Sequence, residues 1–123
     1  MMTGKNYIGN KQSAQGSKTY RTFNPQLNIE NDTLFTEATP QEIDEAVHLA
    51  SEAFKTFRMV SGEKKALFLN AIADEMLALD DELIQTYCME SGLPEGRAKG
   101  ERGRTVFQLR SFAELVKEGS WVE

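Results

Sequence analysis

The chain has 123 residues, of which 40% are hydrophobic and 27% are charged, and its formal net charge is -5. This balance is typical of one soluble globular domain with a modest core, and the negative charge argues against nucleic-acid and anionic-membrane partners. Residues 1–10 are polar and no apolar run reaches membrane-spanning length, so we expect a cytoplasmic protein. The single cysteine, Cys88, excludes an internal disulfide and a cysteine-based metal site, which fits a reducing compartment.

Residues 1–38 are rich in glycine, asparagine, threonine and aromatic residues. Short β-prone segments at 7–8, 20–23 and 34–35 are separated by turn-forming pairs such as Gly-Asn and Asn-Pro. The pattern predicts a short antiparallel β-strand meander. Such strands are marginally stable alone and need another element to pack against.

Residues 39–123 contain nearly all of the helical periodicity and predict a four-helix segment. The first helix, over 40–57, has the strongest start signal. Thr39 suits the N-cap, Pro40 suits the first helical position, and Glu42 completes a Thr-x-x-Glu capping box. Apolar residues at helical spacing then form one face: Ile43, Ala46, Val47, Ala50, Phe54 and Phe57.

Three more helices are predicted over 62–78, 80–91 and 94–118, with Asp80 as the N-cap of the third. Gly92 ends the third helix and a glycine at 119 ends the fourth. The chain is therefore mostly α with a small N-terminal antiparallel β region. The predicted inner face of the fourth helix consists of Val106, Leu109, Phe112, Ala113 and Val116.

Few residues are candidates for catalysis. Cys88 lies mid-helix, far from any cluster of backbone amides that would activate it, so a buried structural role is favoured. The single histidine, His48, fits a partly exposed helix position better than a catalytic one. The carboxylate pairs at 74–75 and 80–81 fit helix caps and solvated faces better than a general acid–base dyad.

The glycine-containing segments at 92–96 and 100–104 raise the possibility of a phosphate-binding loop. Neither follows a predicted strand or contains a Gly-Lys-Ser/Thr ending, so a turn and a glycine-loosened helix are favoured. Arginines along the last helix have the chemistry to hold a carboxylate bidentately. Exposed charges balanced by Glu95 and Glu101 are the alternative and are slightly favoured. The arginines are Arg97, Arg102, Arg104 and Arg110.

The order of segments resembles the opening of aldehyde dehydrogenases. Phe-Asn-Pro at 23–25, the alanine-rich helix over 40–54 that ends in Ala-Phe, and Met-Glu-Ser-Gly-Leu-Pro at 89–94 are similar to that family. The last helix, especially 101–113, looks like the 2,5-dioxopentanoate (α-ketoglutarate semialdehyde) dehydrogenase branch. The resemblance spans residues 7–121, about the first quarter of such an enzyme, so it implies an N-terminal fragment of the α/β aldehyde dehydrogenase fold.

The resemblance implies that the complete enzyme oxidises an aldehyde to the carboxylic acid, through a thiolate adduct and hydride transfer to NADP or NAD. The family's catalytic cysteine, general base and nucleotide-binding strands have no counterpart here. We therefore expect no catalytic, cofactor-binding or metal-binding residues in this chain, which alone should be inactive and bind no cofactor. A dicarboxylate-type semialdehyde needs a cation for its far carboxylate, and we expect Arg104 to contact it with help from Gln108.

We further expect the helices to pack on an absent nucleotide-binding sheet, and the complete enzyme to be a homo-oligomer that takes a small aldehyde substrate. The ending at residues 121–123 suggests a cut through a longer chain. Two alternatives remain open from the residues: an independent helical module that binds a partner protein through its apolar faces, and a regulatory sensor of small acids that uses the helix over 97–110.

Overall fold

A computed structural model of the protein describes residues 2–121 and divides them into two compact units. One unit comprises the described residues up to Met59, and the other comprises those from Val60 onward. Strands occupy the start of the chain and helices the rest, which confirms a mostly α chain with a small antiparallel β region. No helix within residues 2–121 is long and apolar enough to cross a bilayer.

The strands are β1 (Asn6–Ile8), β2 (Lys11–Ser13), β3 (Thr19–Asn24) and β4 (Ile29–Thr36). They pair as two separate antiparallel hairpins, β1 with β2 and β3 with β4, where a single meander was expected. Strand β2 was not predicted, because Lys-Gln-Ser has no β-branched or aromatic residue. A two-residue loop positions β2 against β1, with Gly9 at a φ of 57° as its first residue.

The Asn-Pro turn between β3 and β4 is held by a buried asparagine. The Asn24 side-chain oxygen accepts hydrogen bonds from the backbone N–H groups of Gln26, at 3.0 Å, and Leu27, at 3.1 Å. This is an Asx turn, in which the side-chain oxygen accepts hydrogen bonds from backbone N–H groups within the turn. Asn28 completes the loop at a φ of 55°, and Asn24 then pairs with Ile29 across the hairpin.

The helices are α1 (Pro40–Phe57), α2 (Gly62–Ala78), α3 (Asp80–Ser91) and α4 (Glu95–Glu118). Three predicted ranges are confirmed, and α4 begins one residue later than predicted because the preceding proline is its extended N-cap. The prediction that Asp80 caps α3 is wrong. The N-cap residue is the preceding leucine, which forms no side-chain cap, and Asp80 has a φ of 38°.

A buried carboxylate ties the start of α1 to the segment around β2. Glu42 and Thr39 form the predicted capping box, in which Glu42 accepts the Thr39 backbone N–H at 2.8 Å. Its other oxygen accepts from the Ser13 hydroxyl and from the Gln15 backbone N–H at 3.2 Å. These donors, the Ser13 hydroxyl first, lower the pKa of Glu42 from 4.5 to about 2.

We expect this carboxylate to make the N-terminal unit less stable in acid. Because the pKa of Glu42 is lower in the folded state, unfolded chains bind more protons, and stability rises with pH between about 2 and about 4.5. The contribution is fully present above that window and is lost as the pH falls through it. Unfolding midpoints measured from pH 2 to 6 should therefore change more steeply in the wild type than in Glu42→Gln, and equal slopes would contradict the assignment.

The second unit is built on close contact between α2 and α4. Most buried residues on these two helices have small side chains, which lets the two backbones approach each other. Ile84 on α3 is the largest fully buried side chain of the unit. At Gly62 a Cβ atom would lie 2.2 Å from the Val116 carbonyl oxygen. The buried residues of the two helices are Ala66, Ala73, Ala98, Val106 and Ala113.

Large apolar side chains are far more exposed than the helical pattern predicted. Phe112 was placed on the inner face of α4 but is 56% exposed, while Val106 and Ala113 of that face are buried. The predicted apolar face of α1 is also largely exposed, including Val47 and Phe54. Periodicity identified apolar faces, but not whether another element of this chain covers them.

Candidate functional site

One face of α4 combines charged and amide side chains. Arg97, Glu101, Arg104 and Gln108 follow one another at intervals of four, three and four residues, which places them on one side of a helix. Val106 is buried, whereas Arg104 and Gln108 are exposed. We call Arg97, Glu101, Arg104 and Gln108 the α4 polar face.

The two arginines of this face share one carboxylate unequally. Nη2 of Arg97 lies 2.6 Å from Oε1 of Glu101, whereas Nη1 of Arg104 lies 3.9 Å from Oε2. The first distance allows a charge-assisted hydrogen bond and the second is too long for one. The Arg104 side chain is 70% exposed. Arg104 therefore presents donors that Glu101 does not satisfy.

The other two arginines of α4 have structural partners. Arg102 donates to the Asp80 carbonyl oxygen at 3.3 Å and lies 3.6 Å from its carboxylate, with only 19% of its side chain exposed. Arg110 donates to Asp74 on α2 at 3.0 Å. These contacts tie α4 to α2 and to the start of α3. Local sequence patterns do not distinguish these arginines from Arg97 and Arg104, because their partners lie 22 and 36 residues away.

An apolar surface follows the polar face toward the end of α4. Phe112 and Leu115 lie one and two turns beyond Gln108 and are exposed. A guanidinium group next to an amide and an apolar surface has the chemistry to hold one end of a small carboxylic acid and to cover its carbon chain. Arg104 and Gln108 present a guanidinium group and an amide on this exposed face, and their contact with a substrate stays a prediction.

A groove on α4 lies away from these two residues. This groove, of about 380 Å³, is lined mainly by apolar atoms, and neither Arg104 nor Gln108 is among its lining residues. Its one cation is Arg110, which already pairs with Asp74. Arg104 and Gln108 therefore lie on an open, exposed face of α4, outside this groove. The groove is lined by Gly103, Val106, Phe107, Arg110, Ser111 and Glu114.

The remaining sequence candidates do not assemble into a reactive centre within residues 2–121. Cys88 is half-buried on α3, His48 is exposed on α1, and no group of three or more histidine, cysteine or acidic side chains in this range could hold a metal ion. The described residues also do not fit a dinucleotide. Their strands are all antiparallel, and Gly100 and Gly103 lie within a helix, not between a strand and a helix.

Comparison with known proteins identifies relatives along almost the whole chain. A family model described as "Aldehyde dehydrogenase family" matches residues 11–121. Alpha-ketoglutaric semialdehyde dehydrogenase 2 of Azospirillum brasilense is 41% identical over 122 residues, which are 98% of this chain and 23% of that protein. Alpha-ketoglutaric semialdehyde dehydrogenase of Acinetobacter baylyi is 34% identical over 118 residues, which are 96% and 22%.

The fold has relatives among solved structures as well. A point mutant of betaine aldehyde dehydrogenase from Staphylococcus aureus, solved in complex with NAD+, superposes with a TM-score of 0.85 at 17% identity. The superposition covers 96% of this chain and 24% of that one. The chain thus spans about a quarter of the length of the proteins it matches.

Proposed function

The chain belongs to the aldehyde dehydrogenase family, and we propose that it is the N-terminal quarter of an NAD(P)-dependent enzyme that oxidises 2,5-dioxopentanoate to the corresponding dicarboxylic acid. Two relatives at 41% and 34% identity are named for α-ketoglutaric semialdehyde, which is the same compound. NAD or NADP would act in the complete enzyme, where it accepts the hydride. We expect the isolated chain to bind neither cofactor.

The observation that supports this substrate class is the incompletely paired guanidinium group of Arg104. The semialdehyde has a reactive aldehyde at one end and a carboxylate at the other. Arg104 is 70% exposed and 3.9 Å from the nearest carboxylate oxygen of Glu101, so its donors are available to that carboxylate. Gln108 would add a neutral hydrogen bond one turn away. We propose that these two residues contact the unreactive end of the substrate.

The test replaces Arg104 in a complete enzyme, made by joining this chain to the remainder of the Azospirillum brasilense relative. Arg104→Gln should lower kcat/KM for 2,5-dioxopentanoate by about 10- to 100-fold, because a hydrogen bond to a charged group contributes about 1.5–3 kcal/mol. Reduction of NAD or NADP is followed by absorbance. Pentanal, which has the same chain length and no carboxylate, is the comparison substrate.

Turnover of pentanal should be far less affected by this substitution. Equal losses for both aldehydes would assign Arg104 to folding and not to carboxylate recognition. If the joined enzyme folds but oxidises neither aldehyde, the proposed function itself is contradicted.

The exposed apolar side chains support a larger assembly. Phe54, Phe57, Phe107 and Phe112 are each at least 44% exposed. We propose that the rest of the enzyme, including the nucleotide-binding sheet, covers these faces, and that the complete enzyme is a homo-oligomer. The same exposure favours the alternative of a helical interaction module without activity. Sedimentation of the chain across a range of concentrations separates self-association from a stable monomer.

A further inference from the structure

The α4 polar face has one carboxylate for two guanidinium groups. Oε1 of Glu101 is 2.6 Å from Arg97, and Oε2 is 3.9 Å from Arg104. The group Arg97, Glu101 and Arg104 therefore has a net charge of +1, and the shorter contact places the anion nearer Arg97. Glu101 precedes Arg104 by three residues, so it is within reach of either arginine.

We propose that Arg97 is a positioning residue that determines specificity: it holds Glu101 and so leaves Arg104 free to bind the carboxylate of the substrate. This inference rests on the proposed function, because it requires Arg104 to be the substrate contact. Arg97 itself is seven residues, or two helical turns, from Arg104 and need not touch the substrate.

Arg97 affects substrate binding because two carboxylates, that of Glu101 and that of the substrate, compete for Arg104. Without Arg97, Glu101 loses its 2.6 Å partner, and the other cation beside it among residues 2–121 is Arg104. The substrate carboxylate must then displace Glu101 before it can bind.

The stability of the helix responds differently from substrate selection. The Arg97 and Arg104 side chains are 62% and 70% exposed, and exposed i,i+4 and i,i+3 pairs contribute little to folding. Removing Arg97 should therefore leave the unfolding midpoint almost unchanged. A change in substrate selection without a change in stability separates positioning of Glu101 from a structural role.

The experiment is a double-mutant cycle in the joined enzyme, with 2,5-dioxopentanoate and pentanal as the two substrates. The readout is the ratio of kcat/KM for the first aldehyde to that for the second. Arg97→Gln should lower this ratio by roughly 3- to 5-fold, mainly through KM, because a competing exposed ion pair contributes up to about 1 kcal/mol. Glu101→Gln should raise the ratio. In the Glu101→Gln background, Arg97→Gln should have an effect below about 2-fold.

Lys99→Gln is the matched control, because it removes one positive charge from the same helix. Lys99 pairs with Glu95 at 3.2 Å and not with Glu101, so the ratio should stay close to the wild-type value. An equal effect of Arg97→Gln with and without Glu101 would overturn the proposal, because it would show a general effect of charge. So would an equal effect of Lys99→Gln.

Arg104→Gln in the same assay distinguishes failure of the proposed substrate contact from failure of the inference about Arg97. If it does not change the ratio, the proposed substrate contact fails and this inference fails with it. If it lowers the ratio while Arg97→Gln does not, the inference alone fails. Glutarate binding to the 123-residue chain, followed by the NMR signals of the Arg104 side chain, gives a reading that does not depend on turnover. Arg97→Gln should weaken that binding, and unchanged binding would count against the proposal.

Discussion

Gly62→Ala should destabilise the helical unit by roughly 1–3 kcal/mol, the range observed when extra atoms are forced into a packed contact. The new Cβ would lie 2.2 Å from the Val116 carbonyl oxygen and 3.2 Å from its carbon. Both atoms are backbone, so no side chain can rotate away and α2 must move from α4. For a unit of this size the unfolding midpoint should fall by about 4–8 °C per kcal/mol.

The matched control is the same change at Gly100, inside α4. Nothing lies within 4 Å of a Cβ at that position, so Gly100→Ala should only improve helix propensity, by up to about 1 kcal/mol. The two substitutions should thus have opposite signs in thermal unfolding of the chain. If Gly62→Ala is neutral or stabilising, the close approach of α2 and α4 at this point is not present in solution.

The 123-residue chain alone should not reduce NAD or NADP with any aldehyde. Enzymes accelerate reactions by about 10⁶-fold or more, and the described residues provide no activated nucleophile, general base or dinucleotide site to begin such chemistry. The rate should therefore be on the order of at least a million-fold below that of the joined enzyme. The absorbance of the reduced cofactor measures this rate, and the intact mass confirms that the purified protein is the 123-residue chain.

Cys88→Ser provides the control for this prediction. Cys88 is half-buried within α3, so the substitution should change neither the absence of activity in the chain nor the activity of the joined enzyme. Cofactor reduction by the chain that disappears in Cys88→Ser would overturn both the assignment of the chain as an inactive part and the structural role of Cys88.

Local signals in the sequence determined the helices. The capping box at Thr39 and Glu42 and the glycine at 92 act within a few residues, so they predicted the start of α1 and the end of α3 without knowledge of the fold. The family was also evident from the sequence, because the order of turns and helices resembled aldehyde dehydrogenases and the comparisons confirmed it.

Contacts between distant residues were decided only by the tertiary structure. Glu42 was predicted as a cap, but its bonds to Ser13 and Gln15 join residues 29 and 27 positions apart. Arg102 and Arg104 look equivalent in the sequence, yet folding pairs the first with Asp80 and leaves the second exposed. The reason is physical: capping and helical periodicity act within a few turns, whereas burial and ion pairing depend on which elements the folded chain brings together.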